Sequence, residues 1–405
     1  MVRGRLTRCG IAVEVGVIGA ALAVFVLCTS ADAARAPAST PITIGALFSL
    51  TGGGNVYGPQ QLKGAELAVS QLNEQGGIDG RRVRLVVRDD RSSPADGKAQ
   101  MRRLIAKNGV IAVLGPSLSA VAVSADPVAN TLQTPVIAVS NTAEGIVGKC
   151  AYPCQWIWRD SLGEATAVPA NISAWVQSAH PTSAAIVYGR GDLLGTDEAK
   201  IAARSFRREG VRVIARVAVP VTGSVTAGVK QALAKKPDVI FVGVAFGQVA
   251  ANVMRAARAA GYQGEFLGGN TFNSAATAKL AGADGAGAQS ASAWYSGNDF
   301  PANTDFLSAF QQRYGQEADQ FAAQAYIGVQ IVADGLGRID DSDFASKPVA
   351  EQRSLLQAAL PEVAITTPLG PFRFTADHDV SQIVWILALT GTGEHRLVGF
   401  CNPYC

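Results

Sequence analysis

The chain has 405 residues, 48% of them hydrophobic and 17% charged, so it holds enough apolar material for two sizeable cores and is not a disordered or low-complexity protein. Its formal net charge is +3, with no long basic or acidic tract. That balance argues against a nucleic-acid partner, which demands a basic face.

Residues 1–36 have the layout of a secretory signal. Arg3, Arg5 and Arg8 precede an uncharged apolar run from Val15 to Cys28, short for a membrane span. Small-residue cleavage patterns follow at Ala31-Asp32-Ala33 and Ala34-Arg35-Ala36. Cleavage after Ala36 takes away four arginines and two acids, a net +2, and leaves +1. Two other readings stay open: lipidation at Cys28, disfavoured by Leu27 before it, and an uncleaved anchor. The expected location is exported, periplasmic or extracytoplasmic.

After the signal, ITIGALFSL (42–50) reads as a buried strand. A glycine-rich turn leads into a helix over 59–74 with Leu62, Ala65, Val69 and Leu72 on one face, stopped by Gly76-Gly77. Strand 83–90, helix 96–107, strand 110–115, helix 119–132 and strand 135–140 follow. A second run has strand 184–189, helix 196–209, strand 211–219, helix 225–235, strand 238–244, helix 247–260 and strand 265–269. Each half thus reads β-α-β-α-β-α-β, which implies two mostly parallel sheets flanked by helices. Helices at 304–314, 321–337 and 349–360 come next. GPFRF (370–374) and VWILALT (384–390) read as closing strands.

The glycine-rich turn does not fit a nucleotide loop. Lys63 is followed by Gly64 and Ala65, so GxxxxGK[ST] is not met. The GxGxxG pattern fails where Gly52-Gly53-Gly54-Asn55-Val56 ends in Tyr57. Asp89 and Asp90 after the next strand leave an enzyme formally open. There is no GxSxG elbow and no HExxH, and the three histidines, His180, His378 and His395, have no ligand-pair spacing. We expect no enzyme activity, no metal and no cofactor.

In open parallel sheets ligands sit beyond the carboxyl ends of the strands. That points to the loops 49–58, 115–120 and 140–145 in the first half, and 189–195, 244–247 and 268–272 in the second. Ser119, Asn141 and Thr142 offer hydroxyls, an amide and backbone N–H groups near helix starts. Such a place suits a carboxylate, and equally these side chains serve as plain helix caps.

The cysteines Cys150, Cys154, Cys401 and Cys405 allow three disulfide pairings or a four-thiolate zinc site. Export favours disulfides, with the local pairs 150–154 and 401–405 expected.

The stretch IGALFSLTGGGNVYGPQQLKGAELAVSQLNEQGGIDGRRVRLVVRDD, then GPSLSAVAVSADPVA, PVIAVSNTAEGI, QWIWRD and FQQRYGQEADQFAAQAYIGVQIVADGL, carry a resemblance over nearly all of the mature chain. In this order they resemble the type I periplasmic solute-binding proteins, specifically the leucine/isoleucine/valine-binding branch of ABC importers. The resemblance implies an α/β fold of two lobes joined by a three-segment hinge. The lobes are expected at 37–158 plus 297–375, and at 159–296 plus 376–405. It implies a monomeric receptor that closes on a small solute and hands it to an ABC permease. The ligand is expected to be a branched-chain amino acid, an amide or a small carboxylate.

Position by position, Ser119 stands where a serine holds the ligand carboxylate, and Asn141 and Thr142 lie in the head-group loop. Tyr57 stands as the aromatic wall. Leu194 replaces a tyrosine, Phe246 falls in a ligand-facing loop, and Asn270 stands where amino-acid binders carry an acid. Glu144, Asp192 or Asp160 are the acids that could compensate. The alternatives are an extracytoplasmic sensor of the same fold, or an α/β enzyme using the cleft.

Overall fold

The structure is a computed structural model that describes residues 40–150 and 152–401. The signal reading (1–36), the lipidation reading at Cys28 and the cysteine Cys405 lie outside the described residues.

The first sheet has five strands, β1 (Ile42–Phe48), β2 (Val83–Asp89), β3 (Ala112–Leu114), β4 (Val136–Ala138) and β5 (Ile157–Arg159), in the order β2-β1-β3-β4-β5. All its pairings are parallel. The second sheet begins with β6 (Ser183–Gly189), β7 (Arg212–Val219), β8 (Val239–Gly243), β9 (Glu265–Gly268) and β10 (Gln289–Ser292), paired in the order β7-β6-β8-β9-β10. The same arrangement is thus built twice. A separate hairpin, β11 (Ala364–Thr367) and β12 (Gly370–Arg373), follows. Antiparallel β13 (Val384–Leu389) and β14 (His395–Cys401) then extend the second sheet to seven strands.

Helices connect the strands. In the first lobe they are α1 (Gly58–Glu74), α2 (Pro94–Ala106) and α3 (Ser119–Thr131). In the second they are α4 (Glu164–Ala179), α5 (Leu193–Arg208), α6 (Thr226–Leu233), α7 (Gly247–Ala259) and α8 (Ala275–Ala281). The chain then returns through α9 (Pro301–Tyr314), α10 (Gln320–Gly337) and α11 (Val349–Ala359).

Local sequence explains most of these elements. Pro59 sits in the first turn of α1, where its missing N–H costs nothing. Gly76 and Gly77 take positive φ just beyond its end. Asp319 caps α10, accepting from the N–H groups of Phe321 at 3.0 Å and Ala322 at 3.1 Å. The expected stripe of α10, Phe321, Ala325, Val329, Val332 and Leu336, is buried throughout.

Several elements depart from the sequence pattern. GPFRF does not close a sheet. Gly370–Arg373 pairs with β11 and Phe374 makes a single bridge to Val380, and Pro371 has no N–H to give an inner ladder. Strand β10 (QSAS) is polar by composition yet wholly buried. Its hydroxyls are satisfied sideways, Ser290 donating to Asn273 Oδ1 at 2.7 Å and Ser292 to Gln320 Oε1 at 2.6 Å. Helix α4 carries Pro169 in its interior, which hides it from a periodicity reading.

Cys150 and Cys154 form the expected disulfide, and no four-thiolate site exists there. Cys401 is disulfide-bonded, with its expected partner Cys405 beyond the described residues.

Two segments where the chain passes between the sheets, the one at the end of β5 and the one before β13, are tied to one another. Arg159 donates from its backbone N–H to His378 O at 2.9 Å and pairs through its guanidinium with Asp379. The Trp158 ring stacks on His378 at 3.7 Å.

Helices α1 and α10 meet backbone to backbone at Gly64, where any Cβ would overlap the Ala322 carbonyl. Gly64→Val is therefore expected to force the helices apart and destabilise the fold by about 1–3 kcal/mol. Urea unfolding measures it, and an unchanged midpoint and slope would contradict this packing.

Candidate functional site

Both sheets share one topology, so both have a switch point, between β1 and β3 in the first lobe and between β6 and β8 in the second. A crevice is expected at such a point, beyond the strands' carboxyl ends. The loops there touch across the lobes. Tyr57, which precedes α1, donates its hydroxyl to Ala245 O at 2.6 Å, just past β8, and lies 2.8 Å from Thr271 Oγ1, just past β9. Ser274 Oγ donates to Val56 O at 2.9 Å. Gly53 meets the Phe246 ring, which a Cβ at Gly53 would approach to 2.7 Å.

The sequence-predicted residues fall into two groups. Tyr57 and Leu194 are buried in one apolar cluster with Val56, Leu118 and Ala245, and half-buried Phe246 packs against it. Tyr57 also packs edge-on against Phe321, 4.7 Å between centroids. Burial pushes the Tyr57 hydroxyl well above its ordinary value, so it acts as a neutral donor.

The polar group is Ser119, Asn141, Thr142 and Asn270, all buried. Ser119 opens α3, and no side chain caps that helix. Its Oγ accepts from Ala143 N at 3.4 Å, a long bond that leaves its hydroxyl proton free of any described protein acceptor. The Asn141 side chain is fully buried, with neither Oδ1 nor Nδ2 hydrogen-bonded to a described residue. Asn270 Oδ1 accepts from Gln320 Nε2 at 2.7 Å, and its Nδ2 reaches Ser140 O at 3.5 Å. Beside these, Gln61 Nε2 donates to Ser140 Oγ at 2.7 Å, and Ser140 Oγ to Ser117 O at 2.7 Å.

The three acids named from the sequence lie in different settings. Glu144 is exposed and pairs with Arg204 at 3.1 Å, joining the lobes at the rim. Asp192 stands at the N-cap of α5 and accepts from Ala245 N at 2.6 Å. Asp160 is fully buried, and burial raises its carboxyl well above the usual range. The acids next to Asn270 are instead Glu164 and Glu198. Glu164 Oε1 accepts from Asn270 N and from Thr142 Oγ1, each at 3.0 Å. Burial raises both carboxyls.

Neither glutamate was singled out from sequence. A signal existed for Glu198. It lies on the inner face of α5 with Ile201, Ala202 and Ser205, and an acid on such a face is rarely buried without a purpose.

A crevice of about 790 Å³ opens beside this polar floor, lined from both lobes by Gln60, Asn273, Lys279, Trp294, Gln320 and His395. Gln320 is shared with the Asn270 contact. Among the described residues no group of histidine, cysteine or acidic side chains is arranged to hold a metal. No helix among them is long and apolar enough to cross a membrane.

A family model described as periplasmic binding protein matches residues 41–394. The Leu/Ile/Val-binding protein of Escherichia coli K12 is 23% identical over 345 residues, covering 84% of this chain and 88% of that protein. A Leu/Ile/Val-binding protein of Rhizobium johnstonii is 38% identical over 115 residues, and the match spans only 30% of that relative. The crystal structure of LivJ from Streptococcus pneumoniae, a branched-chain amino acid transporter binding protein in complex with isoleucine, superimposes with a TM-score of 0.79. Its identity is 23%, covering 90% of this chain and 100% of that one. A solute-binding protein from Rhodopseudomonas palustris in complex with benzoate gives a TM-score of 0.77 at 22% identity, covering 90% and 97%.

Burial pushes Asp319, the cap that positions Gln320 and Phe321, up to about 6. An unfolded chain has an aspartate value of about 3.9. The folded state thus holds this proton more tightly. Its contribution, on the order of 3 kcal/mol, is complete below about pH 4 and is lost as pH rises from there through about 6. Urea unfolding across that window should show a steeper fall in wild type than in Asp319→Asn. Parallel pH profiles would contradict the raised value.

Proposed function

The chain belongs to the periplasmic binding protein family, one of binding proteins rather than enzymes, and on that premise we propose that it is the exported solute receptor of an ABC importer. It takes a small polar solute between its lobes and delivers it to a permease. The observation that carries this reading is the meeting of the two switch-point edges, with buried polar groups that lack partners among the described residues where they meet. We place the lobes at 37–158 plus 297–375, and 159–296 plus 376–405, so that the crossing segments act as the hinge.

The roles divide by chemistry. Isoleucine and benzoate, the ligands of the two superimposed relatives, share one feature, a carboxylate on an apolar body. The start of α3 offers the Ser119 hydroxyl and uncapped amides to such a carboxylate. Asn141 and Thr142 frame the head group from the loop after β4. Tyr57, Leu194 and Phe246 bound the apolar body, and Asn270 faces it from the second lobe.

A thermal-shift panel of amino acids, amides, amines and small organic acids tests the proposal. A solute at a hundred times its dissociation constant should add about 2.7 kcal/mol. Ser119→Ala should then weaken binding roughly ten-fold or more. It removes one buried hydrogen bond, a loss of about 1–3 kcal/mol. Unchanged affinity in both Ser119→Ala and Thr142→Ala, with normal melting, would remove these residues from the site.

A further inference from the structure

Glu164 is the first residue of α4 and Glu198 lies in the second turn of α5, and both are fully buried. One oxygen of the pair is well served, Glu164 Oε1, which takes the hydrogen bonds of Thr142 Oγ1 and Asn270 N. The other three, Glu164 Oε2 and both oxygens of Glu198, receive no hydrogen bond from a donor of the described residues. The two carboxyls stand within hydrogen-bonding reach of each other, so a proton shared between them is the one bond they can make.

The backbone around them is cleared to make room. A Cβ at Gly269 would overlap Glu198 Oε1 and lie 3.1 Å from Glu164 Oε2, and one at Gly243 would lie 3.2 Å from Glu198 Oε2. Among the described residues neither acid is paired with a cation. The charged groups that act on them are the acids Asp192 and Asp197. The Arg159 guanidinium packs against Gly163, but it is occupied by Asp379 and by the carbonyls of Asn141 and Ala143. Lys200 and Arg204 act on Asp197 at the rim, and Arg204 is paired with Glu144. Buried carboxylates are normally paired, because an unpaired one is costly.

An ammonium group supplies what is missing, a positive charge and three donors for three open oxygens. We propose that Glu164 and Glu198 form the subsite for a protonated nitrogen of the solute, so that the cleft takes a cationic or zwitterionic solute in preference to a simple carboxylic acid. The assignment rests on the solute-receptor reading and gives it a ligand class. The Asn270 amide brings no charge of its own. Its backbone N–H and the Thr142 hydroxyl hold Glu164 in place, and Glu198 on the next helix completes the pair, both glutamates belonging to the second lobe. A bound ammonium favours the ionised pair and displaces protons that burial otherwise holds there. Affinity for such a solute therefore rises with pH as the pair gives up the proton that burial holds on it, while the amine stays protonated.

Titration calorimetry on the mature chain uses matched probes, L-leucine against 4-methylpentanoate and L-phenylalanine against 3-phenylpropanoate. The amino member of at least one pair should bind ten-fold or more tightly than its deaminated partner. Glu164→Gln and Glu198→Gln should each reduce that preference, and Glu164→Gln should flatten the rise with pH, with the deaminated acid little affected. Equal or tighter binding of the deaminated acids by wild type overturns the assignment while the receptor reading stands, and this comparison needs no variant. Folded glutamine variants that keep the full preference also overturn it. A wild-type chain that binds no member of either pair, nor any amine, amide or acid of the wider panel, overturns the receptor reading and the assignment with it.

Discussion

Strands of a parallel sheet end together, and the loops beyond them carry polar groups that the sheet cannot satisfy. Here two such edges meet, and each lobe completes some of the other's hydrogen bonds. The Tyr57 hydroxyl needs the carbonyl of Ala245, and the Val56 carbonyl needs the hydroxyl of Ser274. Gln320 in α10 answers Asn270 beyond β9. Among the described residues, the Asn141 amide makes no hydrogen bond, and three glutamate oxygens receive none beyond the proton that Glu164 and Glu198 share. Buried polar atoms are normally satisfied, so an interface left incomplete in this way is what a site for a polar solute requires.

The crossing segments let that interface stay in register. Arg159, at the end of β5, is bonded to His378 and Asp379 on a segment more than two hundred residues later in the sequence. The same guanidinium reaches the carbonyls of Asn141 and Ala143 in the head-group loop. One side chain thus couples two of the crossings to the loop that carries Thr142. The Trp158 ring, held between His378 and Phe374, stiffens the same joint.

Much of the fold was legible in the sequence. The β/α alternation, the α10 stripe and the glycine stop after α1 follow from period and turn chemistry, which are local. Elements that owe their burial to distant partners were not legible. The polar strand β10 is inside because Asn273 and Gln320 receive its hydroxyls, and nothing within QSAS announces that. The site divides the same way. Ser119, Asn141 and Thr142 lie at strand ends that the pattern located. The glutamates sit on helix faces, and only the approach of β8 and β9 with bare glycines at Gly243 and Gly269 makes a pocket for them. Position 270 is an asparagine, and its neighbour Gly269 leaves the room that Glu198 fills.

The central claim is that a solute is held by both carboxyl edges at once. Hydrogen–deuterium exchange of the mature chain, with and without a solute identified by thermal shift, reads this directly, since protection reports local opening of backbone amides. Exchange should slow in the loops 49–58, 115–120 and 140–145 of the first lobe together with 189–195, 244–247 and 268–272 of the second. Protection confined to one lobe, or lying away from these loops, would contradict it.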